Sequence, residues 1–211
     1  MDAAEQRVAR LLEVAGTTYA EQAGIRLADK PMPLFQLLVL CMLASKPIDA
    51  AIATSAAQEL FKAGLRTPKA VLAADRRTMI EAFGRAHYVR YDESSATRLT
   101  DIAEHVRDDF GGDLRRIAAR CGHDPQRATR MLKQFKGIGD TGADIFLREV
   151  QDVWTWVRPH FDDRATAAAK TLRLPTDPAK LSAFAPRTSA RLAAALVRAS
   201  LDDDMRLQLT G

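Results

Sequence analysis

Apolar residues along the chain recur mostly every three to four positions, and no long apolar–polar alternation appears. That period is the period of an amphipathic helix, so the pattern predicts an all-α protein with about ten helices or more. The stretch "AEQRVARLLEVAGTTYAEQAG" reads as a first helix ending near Gly24. Pro31 and Pro33 open an apolar helix over 34–45, because proline is tolerated in a first turn, where the missing N–H is no loss. Asp49 caps a helix running to about Lys62, with Gly64 just beyond its end. Pro68 opens a short helix to about Ala73, and further helices are predicted over 76–83 and 93–109, the second stopped by Gly111 and Gly112. Helices over 113–121, 125–134 and 141–151 follow. In "QDVWTWVRPHF" the period fails, and the Trp154/Trp156 alternation is strand-like. A helix with Asp162 at its N-cap comes next, then two more over 178–184 and 187–200. There is no internal repeat or low-complexity linker.

Between two of these helices lies "FKGIGDTGADIF", residues 135–146. Glycine at 137 and 139 lets the backbone take positive φ and lets another molecule come close. Ile138 tucks between the helices and pins the turn. The N–H groups at the start of the following helix, near Thr141, point outward and make an anion site that a DNA phosphate fits without sequence readout. A plain helical hairpin with glycines at a C-cap accounts for "GIG" equally well. Arg127, Arg130, Lys133 and Lys136 lead toward the turn and favour the anion, whereas Asp140 repels one.

Charge adds little. Lysine plus arginine number 31 against 27 acidic residues, a net +4 that permits a polyanionic partner without demanding one. The two cysteines form no CxxC pair, and Cys41 sits in an apolar run as a buried thiol. The charged, amphipathic start does not read as a signal peptide. The run at 34–44 is too short to span a bilayer. A reduced, cytoplasmic protein is expected, associated with the nucleoid if the source is bacterial.

"LKQFKGIGDTGADIF" (132–146) resembles the helix-hairpin-helix of the DNA glycosylase superfamily that includes endonuclease III. The resemblance extends, in order and spacing, over about 30–175. "LFQLLVLCMLASKPID" (34–49) is similar to the family's early apolar helix and polar turn. "AHYVRYDESSATRLTDIA" (86–103) matches its tyrosine-containing stretch more loosely, and "FDDRATAAAKTLRL" (161–174) its closing segment. The resemblance implies two helical domains with a cleft between them and the helix-hairpin-helix at about 125–151. One domain would span 30–155; the other would combine 1–29 with 156–211 and carry a catalytic aspartate at its start. That aspartate falls some twenty residues beyond the hairpin. Asp162 fits best, since Ala165, Ala168, Ala169 and Leu172 then share one helical face, with Asp163 the second choice. As a residue alone, Asp162 reads better as an N-cap, and the hairpin at the matching distance turns the reading toward catalysis.

The implied activity is cleavage of the N-glycosidic bond of a flipped, damaged or mispaired base in double-stranded DNA, by a monomer. A carboxylate would stabilise the oxocarbenium-like sugar and orient water. DNA would be held by Gly137, Ile138, Gly139, Thr141 and Lys136, with Lys46 filling the gap left by the base. Tyr88, Tyr91 and Trp154 could face a base pocket or serve as core. Hairpin carbonyls of Lys133, Phe135 and Ile138 would hold a monovalent cation. Two departures matter. Thr141 stands where bifunctional members carry a Schiff-base lysine, which implies a monofunctional enzyme without lyase activity. The C-terminal tail lacks cysteines, so no iron–sulfur cluster is expected. The alternative is a catalytically silent DNA-binding protein on the glycosylase scaffold.

Overall fold

Helix starts are written plainly into this chain. Proline at the first turn, preceded by a side chain that accepts an otherwise unpaired backbone N–H, opens three of them. Thr67 caps α5 (Pro68–Ala73), Asp124 caps α9 (Pro125–Leu132) and Asp177 caps α12 (Pro178–Phe184). In the computed structural model, which describes residues 2–210, all regular elements among the described residues are helical: fourteen α-helices and one 3-10 turn.

Two units are distinguished. One is 20–146; the other joins the chain up to Tyr19 with the chain from Leu147 onward. The family resemblance implies divisions near 29 and 155. The joints between these units fall within α2 (Tyr19–Gln22) and α10 (Asp140–Val150).

Unit 20–146 is built around α3 (Pro31–Ala44), whose residues from Leu34 to Leu43 are buried on every side. A helix apolar all round must be covered all round. It packs against α4 (Ala50–Lys62) and α7 (Asp92–Phe110), while α6 (Arg76–Arg85) lies on both α4 and α7. α5 covers α7 further along, and α8 (Arg116–Cys121) packs on α9. In the other unit the central helix is α13 (Ser189–Leu201), packed against α1 (Ala3–Ala15), α11 (Asp163–Thr171), α12 and α14 (Asp203–Thr210). Ala165, Ala168 and Ala169 are the buried residues of α11.

Two expectations are corrected. The first predicted helix ends at Gly16, its C-cap, whose N–H donates to the Leu12 carbonyl at 2.9 Å. The chain restarts as α2. The Trp154/Trp156 fragment is a 3-10 turn (Thr155–Val157), with the two indoles stacked at 5.4 Å. The acidic run 202–204 is exposed, with Asp202 ending α13 and Asp203 starting α14. There the Asp202 carboxylate accepts the Met205 N–H at 2.9 Å, and negative charge suits a helix start. No helix among the described residues is long and apolar enough to cross a membrane.

Because Phe35 is fully buried in α3, Phe35→Ala is expected to cost about 3–5 kcal/mol. The measurement is a urea titration followed by circular dichroism, with a lowered midpoint and an unchanged slope.

Candidate nucleic-acid interface and carboxylate site

After α9 the chain tightens into a turn. The Phe135 N–H donates to the Leu132 carbonyl at 3.1 Å, and the Ile138 N–H to the Phe135 carbonyl at 3.0 Å. Gly137 takes a φ of +89°, which a residue with a β-carbon resists. Gly139 is not in that region, and a β-carbon on it would meet nothing in the chain within 4 Å. The expectation of positive φ at both glycines is thus corrected. Gly137 serves the turn, whereas nothing inside the chain requires a glycine at 139. Ile138 is 4% exposed and pins the hairpin. Gly142 makes room: a β-carbon there would stand 3.2 Å from Ile138 Cγ2 and 2.5 Å from Ser45 Oγ.

α10 starts at Asp140, and its first intrahelical partner is the Ala143 N–H, bonded to the Gly139 carbonyl at 3.0 Å. The N–H groups before Ala143 have no place in the helix ladder. Gly139, Asp140 and Thr141 line a concavity of about 400 Å³ together with Ser45, Lys46, Arg98 from α7, Gly137 and Ile138. Sequence reasoning missed Arg98, whose stem would be 2.8 Å from a β-carbon at Gly137 and whose Nη1 is buried without a hydrogen-bond partner. A buried cationic donor in that state calls for an acceptor. Its signal was a helical arginine separated from the hairpin by almost forty positions, which no local pattern ties to it.

The basic approach to the turn is largely neutralised within the chain. Lys133 pairs with Asp140 at 2.5 Å, Lys136 with Asp101 at 3.2 Å and Arg127 with Asp124 at 3.6 Å. Exposed pairs of this kind contribute about 0–1 kcal/mol and exchange readily for a stronger anion. Asp140 therefore repels less than its charge suggests. Lys46 Nζ stands 5.5 Å from the ring centre of half-buried Tyr91, and the Arg90 guanidinium 5.3 Å from it. Tyr88 is fully buried, its hydroxyl 3.3 Å from both the Leu43 carbonyl and Ser95 Oγ. Trp154 is buried as well. Burial and the bonded hydroxyl make Tyr88 part of the core.

In the other unit, Asp162 is the N-cap of α11. Its Oδ1 accepts the Ala165 N–H at 2.9 Å, and its Oδ2 accepts from Arg148 Nη1 at 2.7 Å. The two side chains are only 8% and 5% exposed. Burial alone would pull the Arg148 pKa down, but Glu149, 3.7 Å from its Nε, and Asp162 outweigh that and the net direction is up. The guanidinium also lies 5.3 Å from the Tyr19 ring centre. Burial raises the Tyr19 hydroxyl pKa against the opposing pull of Arg198 and Arg148. Asp163, the second choice, is exposed on the first turn of α11.

The segment that delivers Asp162 is held by Gln151, which is fully buried. Its Nε2 donates to the Arg148 carbonyl (3.0 Å) and the His160 carbonyl (2.8 Å), and its Oε1 accepts the His160 N–H at 3.0 Å. Asp152 braces the same segment, accepting from Arg158 at 2.6 Å and from the Ala190 N–H at 3.0 Å.

No protein-family model and no curated protein matches this sequence. Among solved structures, a trapped endonuclease III–DNA covalent intermediate, an estranged-adenine complex, is similar, with a TM-score of 0.52 and 14% identity. The match covers 93% of this chain and 82% of that one. The fold is that of endonuclease III. The endonuclease III scaffold is thus present although few of its residues are. The chain's two cysteines are both buried, on α3 and α8.

The close approach at Gly142 can be tested by stability. Gly142→Ala is expected to cost about 1–3 kcal/mol through overpacking against Ser45 Oγ. Adding Ser45→Ala should return most of that loss in thermal melts, and simple additivity would refute the contact.

Proposed function

We propose that the protein is a monofunctional DNA glycosylase that hydrolyses the N-glycosidic bond of an extruded, damaged or mispaired base. The observation that carries this reading is Asp162: a buried carboxylate with an assigned orientation, in a chain with the endonuclease III fold. Glycosidic cleavage builds positive charge on the sugar, and a carboxylate held in place stabilises it without reorganising. A carboxylate has about four acceptor positions, so the bonds to Ala165 and Arg148 leave others for the sugar and a water.

In this reading the hairpin grips the DNA backbone. Gly139 brings the backbone close to the strand, the N-terminal N–H groups of α10 take a phosphate, and Arg98 and Lys46 supply charge. Carbonyls of Lys133, Phe135 and Ile138 would hold a monovalent cation, adding positive charge beside that phosphate. Thr141 has no amine with which to form a Schiff base, so the product is an abasic site with the strand intact.

One observation favours a second reading. Both Asp162 oxygens are engaged and the side chain is 8% exposed, as in a scaffold that binds DNA without cutting it.

Base release from duplexes carrying uracil, thymine mismatches, alkylated purines or oxidised bases separates the two. The glycosylase is expected to cleave one class after hot alkali and none without it, with Asp162→Asn inactive. Asparagine can still cap α11 through its one oxygen, but its NH2 would face the Arg148 donor, so the fold of the variant is checked by circular dichroism. Normal binding with silence on every duplex would instead establish the second reading. Arg98→Ala is expected to weaken binding evenly across sequences and to reduce the slope of log affinity against log salt by about 1.

A further inference from the structure

Resting on the proposed reaction, we propose that Arg148 is a positioning residue: its planar guanidinium sets the orientation of the Asp162 carboxylate toward the reacting sugar. Capping alone leaves a carboxylate able to turn about its bond to Ala165. The bond from Arg148 Nη1 to Oδ2, at 2.7 Å, removes that freedom by fixing the second oxygen. The guanidinium is itself enclosed. It is 5% exposed, faces the Tyr19 ring at 5.3 Å, and has Glu149 3.7 Å from Nε. Its helix, α10, is tied to the delivering segment through Gln151, which bonds the Arg148 carbonyl and both backbone groups of His160.

Charge alone would not need this apparatus. A lysine would supply a point charge, whereas a guanidinium offers donors in a fixed plane. Glu149 has a separate part. It stands 3.7 Å from the Arg148 Nε and supplies a compensating negative charge to the buried guanidinium. The geometry therefore assigns orientation to Arg148 and not to its acidic neighbour.

The test uses the full chain and the duplex on which it releases base, comparing single-turnover rate at saturating protein with affinity for the uncleaved duplex. Arg148→Met is expected to lower the rate about 100-fold, the scale of a misplacement near 1 Å, and to leave Kd within about twofold. Arg148→Lys should recover only part of the rate, and it carries the test by itself if the methionine variant does not fold. A wild-type rate in Arg148→Lys, or in Arg148→Met, while Asp162→Asn is inactive, would overturn the proposal and leave the glycosylase reading standing. So would a Kd that weakens as much as the rate falls, since that marks a merely structural role. A wild type that releases no base from any duplex, or an active Asp162→Asn, overturns the glycosylase reading and this proposal with it.

Discussion

A guanidinium withdrawn from water must be surrounded by compensating groups, and in this protein that demand organises the carboxylate site. Arg148 is 5% exposed, and taking such a charge out of water costs several kcal/mol unless partners answer it. The partners are Asp162, Glu149 and the face of Tyr19. Meeting the demand fixes where α11 begins, because the carboxylate that pairs with Arg148 is also the one that caps α11. It also fixes the segment before it, since Gln151, one helical turn from Arg148, spans to His160. A buried pair of this kind is a poor source of net stability but a strong constraint on geometry, which is what a catalytic carboxylate requires.

The hairpin follows the opposite logic. There, groups without internal partners lie along a concavity. Gly137 and Gly142 are spent on internal geometry, one on a positive φ and one on the approach to Ser45. Gly139 has no such internal use, and it adjoins the unladdered N–H groups of α10 and the buried, unsatisfied Nη1 of Arg98. Meanwhile the lysines at 133 and 136 are balanced by aspartates, so that positive charge around the concavity comes from Arg98 and Lys46 rather than from the run of basic residues before the turn. A net charge of +4 says nothing of this arrangement.

Much of the helical framework was legible because helices announce themselves locally. Asp49, Thr67, Asp124, Asp162 and Asp177 each accept a backbone N–H within three residues, and a bond that short is visible in the order of residues. Gly16 was missed because one glycine inside a continuing apolar period is a weak signal. The pairing of tryptophans at 154 and 156 looked like a strand because alternation was judged over too few residues. Their stacking in a 3-10 turn has the same spacing in sequence.

By itself the sequence determined an all-helical chain, the hairpin between two of its helices, and a carboxylate at the head of α11, since each depends on interactions spanning a few residues. The tertiary structure alone decided that Arg98 lies across Gly137, that Arg148 holds Asp162, that Tyr88 belongs to the core, and that Lys133 and Lys136 are paired. Hydrophobic period records which face of a helix is buried, but it carries no information about which charged group another helix will bring to meet it. Those meetings depend on how whole helices pack, and a buried charge reveals its partner only after the chain has closed around it.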